Sequence, residues 1–430
     1  MIHLKQKFSY SLIVGILFIS SATLPYELKS KELEFSDPEK EGFSSERLQR
    51  IAPAMQKYID ADLTPGVLTA IMKNGKIIYF ETQGYMDVEA KKPLKDDAIF
   101  RIASMTKPIA SIALMMLWEE GLFQLYDPVS KYIPSFSEIK VSTTSDASGK
   151  TGELINPNRE PNIRDMLTHR AGLANSYLGN AKAYDEIMNA EPKPENNAER
   201  IDRLAKIPLN YHPGEKWEYS HATDVVGHLV EVISGESLDD FLKKRLFDPL
   251  DMKDTHFYLD DTKGGRLTAQ YSPGEDLKIN LQDPGSDQSR WIKSEKKLFS
   301  GSGGLVSTAR DYFRFQQMVL NKGELDGTRI LAPSTISLIL ENHTEDNLIW
   351  LYGPGVGFGL GYGVVLDRGL ASTSMAEGSG FWGGAYCTLS WIDPENQLSG
   401  LIMTQLRPYR HINIRPVSYT HLTLPTNREV

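Results

Sequence analysis

Ser104 and Lys107 stand three residues apart at the head of an apolar run, FRIASMTKPIASIALMMLWEEG, that spans Phe100–Gly121. On a helix that spacing puts the hydroxyl and the amine on one face, about a turn apart. A serine hydroxyl is a weak nucleophile at neutral pH, and a lysine that is buried or held near another cation can lose its proton and act as its base. The pairing therefore points to covalent catalysis through an ester of the serine. A second S-x-x-K, Ser294–Lys297 (SEKK), lies in a charged run with no apolar helix behind it. After Ser104, by contrast, Ile109, Ile112, Ala113, Leu114, Met115, Met116 and Leu117 make the helix apolar almost all round, as for one buried inside a large domain. Pro108 falls in its first turn, where a missing N–H costs little.

Such a nucleophile needs a second proton carrier for the leaving group and donors for the oxyanion. Tyr219 and His221 lie in HPGEKWEYSHATD, a turn-rich approach to a helix. A tyrosine beside a lysine cation has its phenolate favoured, so it can take a proton from the serine and return it to the leaving group. Equally, Tyr219 is one of 19 tyrosines and could simply pack. His221 taken alone reads as a hydrogen-bonded structural histidine rather than a base. Trp382, Gly383 and Gly384 stand before an expected strand at Ala385; the glycines there allow a ligand to approach the backbone closely, or mark an ordinary strand entry.

The chain has 430 residues, 40% hydrophobic and 24% charged, enough for one large or two modest domains with a sizeable core. A formal net charge of −9, with no basic stripe, argues against nucleic acid or an anionic membrane surface as a partner. The sole cysteine, Cys387, excludes an intrachain disulfide, and without an H-E-x-x-H or a cysteine network no metal is expected. Residues 1–22 read as a secretory signal, with Lys5 and Lys7 in the n-region, Leu12–Ile19 as the h-region and a cleavage site near Ala22. The mature chain is then secreted or periplasmic and without a membrane span, because that apolar run is too short to cross a bilayer.

After a linker (23–41), the elements that must position these groups begin with an amphipathic helix over Ser44–Ala61. Val67–Lys73 and Lys76–Gln83 flank Asn74-Gly75, which predicts a type I′ hairpin. From 125 to 297 the texture is helical, split by polar loops, with helices expected at Ile163–Leu167, Ala222–Ser234 and Leu238–Leu246. Strands return at Gly361–Asp367, Ala385–Ile392 and Leu398–Gln405. The economical arrangement is an α/β fold of the α+β type. One antiparallel sheet, built from 42–124 and 298–415 and flanked by helices, carries a large inserted helical region, with the Ser104 helix at the seam, where pockets form.

Taken together, FRIASMTK at Phe100–Lys107, DPVSKYIP at Asp127–Pro134, LTHRAGL at Leu167–Leu173, YHPGEKWEYSH at Tyr211–His221, GGLVSTARDY at Gly303–Tyr312 and the Trp382 step resemble the serine β-lactamase and penicillin-binding-protein superfamily. The likeness is greatest to its class C branch and the related esterases, and runs from about Gly42 to Gln405. It implies a β-lactamase/transpeptidase-like fold and an acyl-enzyme on Ser104, with Lys107 as activating partner and Tyr219 as the tyrosine of a Tyr-x-Asn element. The backbone N–H groups of Ser104 and Ala385 would be the oxyanion donors, and His221, Trp382, Gly383 and Gly384 would line the substrate. No cofactor is implied.

Two departures bear on the substrate. His221 replaces the asparagine of the second element, and Trp382-Gly383-Gly384 replaces the Lys-Thr-Gly of class C enzymes, as in esterase members. A literal Lys150-Thr151-Gly152 lies in a polar loop between the first two motifs and is read as coincidence. Losing that lysine removes a cation for a substrate carboxylate, and a tryptophan offers an apolar face. Short-chain esters are thus the expected substrates, with weak β-lactam hydrolysis alongside. The alternatives are a class C-like β-lactamase, a D-alanyl carboxypeptidase, or an acyl-binding sensor that does not turn over. Finally, PVSYTHLTLPTNREV at 416–430 does not read like the closing helix of this superfamily. It matches the in-frame translation of a transposon sequencing adapter and is read as an artefactual tail.

Overall fold

An eight-stranded antiparallel sheet organises the chain in this computed structural model, which describes residues 32–144, 151–177, 179–286, 288–293, 295–345, 349 and 351–415. The expected signal peptide, residues 23–31 of the linker, Lys150, Ser294 and the tail at 416–430 lie outside the described residues. The N-terminal strands are β1 (Gly66–Lys73), β2 (Lys76–Asp87) and β3 (Lys92–Pro93). Two short strands off the main sheet follow, β4 (Phe100–Arg101) and β5 (Val306–Ser307). The late strands are β6 (Val356–Phe358), β7 (Gly363–Val365), β8 (Gly380–Gly384), β9 (Thr388–Asp393) and β10 (Leu398–Met403). Their order across the sheet is β6-β7-β8-β9-β10-β1-β2-β3, so the early hairpin pairs with the late strands as expected. Leu68 faces Met403 and Ile71 faces Gly400 across the closing pair.

Asn74 and Gly75 turn the first hairpin with φ of 52° and 77°, the positive pair a type I′ turn requires. Along β1 the side chains alternate between two buried faces. Leu68, Ala70 and Met72 join the main core, whereas Val67 and Ile71 join the core on the opposite side. The expected helix over Ser44–Ala61 is two helices, α1 (Ser45–Leu48) and α2 (Ile51–Asp60). Pro53 explains the break, because its ring would clash with the carbonyl of residue 49 in a continuous helix.

The buried helix is α3 (Thr106–Glu119), every residue of which from Thr106 to Leu117 is buried. It packs against α6 (Ala222–Ser234), which in turn contacts α4 (Ile163–Leu167), α5 (Asn197–Ala205) and α7 (Leu238–Leu242). The helices at 163–167 and 222–234 have the expected bounds. The third does not run regularly to Leu246: after Leu242 the chain widens into a π turn, Lys243–Phe247, with the Asp248 N–H bonded to the Lys243 carbonyl. Short antiparallel strand pairs, Val141–Ser142 with Leu154–Ile155 and Gln270–Pro273 with Ile279–Asp283, absent from the helical reading, also occur in this stretch. The helix α8 (Ala309–Leu320) follows β5.

The late strands are shorter than expected. Trp382, Gly383 and Gly384 lie inside β8 rather than before a strand, Ala385–Cys387 form the turn to β9, and Cys387 takes φ of 63° there. The strand β6 was hidden by its glycine-rich sequence, VGFGLG. Gly384 has a specific reason: a Cβ there would stand 2.3 Å from the Ile102 carbonyl oxygen, so only glycine lets β8 meet the turn that bears Ser104.

Candidate active site

Ser104 sits in a 3-10 turn, Ala103–Met105, that runs directly into α3. The turn is held from two sides. β4 pairs with β5, and the Ile102 N–H reaches the Leu305 carbonyl at 3.1 Å. Ala103 takes φ of 43°, a strained conformation for a residue with a Cβ, immediately before the serine. Lys107, one helical turn on, is 2% exposed and places Nζ 3.3 Å from Ser104 Oγ. The same nitrogen donates to the Ser302 carbonyl at 2.7 Å and lies 4.7 Å from the centre of the Tyr219 ring.

Tyr219 arrives from the loop before α6, with its hydroxyl 2.7 Å from Ser104 Oγ. Three rings hold it: His169 at 4.9 Å, Trp382 at 5.3 Å and Trp217 at 6.3 Å between centroids. His169 is fully enclosed, and burial, with Lys107 and His221 nearby, holds its pKa well below the usual histidine range. Its Nδ1 accepts the Ser220 N–H at 3.3 Å, as a neutral ring can. The Asn175 amide donates to the Tyr219 carbonyl at 2.9 Å and fixes the backbone. Trp382, on β8, contributes more than an apolar face, because its indole N–H donates to the Tyr219 hydroxyl at 3.3 Å.

The structure thus gathers Ser104, Lys107, Tyr219 and Trp382 on one cluster of bonds. Gly384 backs the serine turn and Ala385 stands in the turn beyond it, while Gly383 is packed on Arg415, whose guanidinium a Cβ at 383 would meet at 2.8 Å. His221 follows a different direction from the rest. Its Nδ1 is 3.1 Å from Asp224 Oδ2 and its ring stacks on Tyr184, although it still lines the cleft beside Ser104 and Lys107.

Sequence reasoning missed Ser302, Asp224, His169 and Asn175. Asp224 lies in the quoted HPGEKWEYSHATD stretch and His169 in LTHRAGL, but nothing local marked them out. Asp224 is buried, and four donors saturate its carboxylate: Ser300 Oγ at 2.6 Å and the Ser302 N–H at 3.0 Å on Oδ1, Arg200 and His221 at 3.1 Å each on Oδ2. Burial alone would raise its pKa, yet Arg200, His221 and Ser300 hold it well below the usual carboxylate range.

A cleft opens over Ser104 in two lobes of about 780 and 840 Å³, both walled in part by Ser104, Tyr177, Tyr219, Ala385 and Arg407. The first adds Asn175, His221, Tyr258 and Trp291, and the second adds Trp217, Tyr352, Trp382 and Arg410. Among the described residues no cluster of three or more histidine, cysteine or acidic side chains could hold a metal ion, and no helix is long and apolar enough to cross a membrane.

Comparison with known proteins bears on this geometry. The family model described as Beta-lactamase matches residues 52–415. Protein Rv1367c of Mycobacterium tuberculosis is 32% identical over 367 residues, covering 83% of this chain and 89% of the relative. Esterase EstB of Burkholderia gladioli is 29% identical over 358 residues, covering 79% of this chain and 85% of its own length. Among solved structures, EstCE1, described as a hydrolase with promiscuous acyltransferase activity, superposes with a TM-score of 0.72 at 26% identity, covering 88% of this chain and 98% of that one.

Proposed function

This chain belongs to the beta-lactamase family, a family of serine hydrolases, and from that premise we propose that it is a class C-related carboxylesterase acting through an acyl-enzyme on Ser104. The observation that carries the reading is the convergence of Tyr219 OH, at 2.7 Å, and Lys107 Nζ, at 3.3 Å, on one serine oxygen. Ser104 Oγ attacks the ester carbonyl as its proton passes into the Lys107–Tyr219 pair. The backbone N–H groups of Ser104 and Ala385, two residues that share the cleft wall, take the negative charge that develops on the carbonyl oxygen. Tyr219 returns the proton to the departing alcohol, and water releases the acyl group by the reverse sequence. His221, Trp382, Gly383 and Gly384 border the bound ester.

Esters are favoured as substrates by Trp382 at the lysine position and by the aromatic second lobe, in keeping with the relatives named as esterase and hydrolase. Turnover of β-lactams is the second reading, and Arg407 and Arg410 favour it: they line the cleft and would attract a carboxylate. The leader at 1–22 would place the activity in a secreted or periplasmic protein. The test is a side-by-side rate measurement on p-nitrophenyl butyrate and a chromogenic cephalosporin, for wild type and Ser104→Ala. The wild type should cleave the ester faster, and the variant should lose about 1000-fold or more of that rate. An alanine variant that keeps its ester rate would show that the nucleophile is wrongly assigned.

A further inference from the structure

A carboxylate buried as deeply as Asp224, 4% exposed, is costly to desolvate, and only its bonds to donors offset that cost. Asp224 stands in the first turn of α6 and reaches neither Ser104 nor Tyr219 by any hydrogen bond among the described residues. Its two oxygens are divided instead. Oδ2 is anchored by Arg200 from α5 and by His221, whereas Oδ1 takes the Ser300 hydroxyl at 2.6 Å and the Ser302 N–H at 3.0 Å. The segment so held is pressed onto α6, since a Cβ at Gly301 would stand 2.4 Å from the Thr223 carbonyl oxygen and 3.2 Å from Gly227 Cα. A second clamp lies beside it, where Asn197 exchanges two bonds of 3.0 Å with the backbone of Phe299. The Ser302 carbonyl emerges from this clamped turn and accepts Lys107 Nζ at 2.7 Å, shorter than the 3.3 Å from that nitrogen to Ser104 Oγ.

We propose that Asp224 is a positioning residue for acylation, fixing Lys107 against Ser104 through the Ser300–Ser302 turn; the inference rests on the reading of Lys107 as the activating partner. The lysine side chain has four flexible bonds, and its helix fixes only the first. Its nitrogen is located by what it donates to. Without the carboxylate, the Ser302 carbonyl can swing and carry the amine with it, and a displacement of about 1 Å at such a group costs on the order of 100-fold in rate. Because Asp224 is not part of the cleft wall, and the His221 ring that is stays stacked on Tyr184, the loss falls on kcat.

The experiment compares wild type, Asp224→Ala and Asp224→Asn in p-nitrophenyl butyrate hydrolysis, and in the rate at which a fluorophosphonate labels Ser104, in both the native and the Lys107→Ala backgrounds. Asp224→Ala should lose about 100-fold in kcat and in labelling with KM within about twofold. Asp224→Asn keeps an acceptor for Ser300 and Ser302 and should recover most of that loss. In the Lys107→Ala background, where the lysine is gone, Asp224→Ala should slow labelling no further. Equal slowing with and without Lys107 would make Asp224 merely structural and overturn the proposal. So would a variant whose kcat matches wild type within twofold. If Asp224→Ala does not fold, Ser300→Ala breaks one of the two bonds and leaves the charge three donors, and kcat should fall several-fold at constant KM. An unchanged kcat there overturns the proposal as well. A wild type that neither hydrolyses the ester nor is labelled at Ser104 would instead defeat the hydrolase reading.

Discussion

Trp382 is the residue on which the proposed substrate and mechanism meet: it is read in place of the class C lysine, and its indole N–H bonds the Tyr219 hydroxyl at 3.3 Å. In the proposed mechanism a neutral donor there steadies the oxygen that exchanges a proton with Ser104, without presenting a cation to the substrate. Trp382→Phe keeps the ring and removes the donor. A neutral hydrogen bond contributes about 1 kcal/mol, so kcat for an ester should fall about fivefold. Trp382→Lys does the opposite for specificity. A charge-assisted contact to a substrate carboxylate adds about 1.5 kcal/mol or more, which should raise the ratio of cephalosporin to ester turnover about tenfold. Both are read from paired kcat/KM values, and a ratio that lysine leaves unmoved would mean that carboxylate recognition resides elsewhere, with Arg407 and Arg410 the next residues to change.

The serine turn depends on β5, and β5 depends on the head of α8. Asp311, in the first turn of α8, accepts the Asp254 N–H at 2.7 Å and the Thr255 hydroxyl at 2.9 Å, and Thr255 in turn bonds Ser307 on β5 at 2.8 Å. Burial pushes the Asp311 carboxyl up from 3.8 to about 6. A raised acid favours the folded state fully below its unfolded value near 3.8, and that contribution is lost as pH climbs through about 6. The step between those pH values should be on the order of 3 kcal/mol, seen as a wild-type Tm that falls more steeply than that of Asp311→Asn, which cannot ionise. Parallel Tm curves would refute it. None of this linkage was legible in the sequence, because Asp311 looks like an ordinary acidic residue after a Thr308 cap. Elements with strong local signals were legible: the Asn74-Gly75 hairpin, and α6 bounded by Gly235, whose φ of 74° ends the helix. Elements defined by distant partners were not. Among the described residues β6 pairs through β7 alone and is rich in glycine, and β8 ends in Gly384 because the serine turn packs against it.

At the scale of the whole molecule, the cluster around Ser104 is closed by contacts between stretches remote in sequence. Tyr219 is 115 residues from Ser104, Ser302 is 195 from Lys107 and Trp382 is 163 from Tyr219. That is why the Ser104–Lys107 pair could be read from spacing, whereas Tyr219 needed the family likeness and Ser302 and Asp224 needed the fold. The same closure joins the two halves of the chain. One continuous core holds Leu68 and Met403 from the sheet, Ile112 and Leu114 from α3, and Leu209, Val225 and Phe241 from the helical stretch. With α3 buried between them, unfolding of the helical stretch alone would expose α3 to water and leave the sheet with an uncovered apolar face. In urea the ester rate and the near-UV circular dichroism should therefore fall together in one transition, with a common midpoint. Activity lost in an earlier, separate step while far-UV signal from the sheet persists would mean that the helical stretch unfolds independently and that the core does not couple the two.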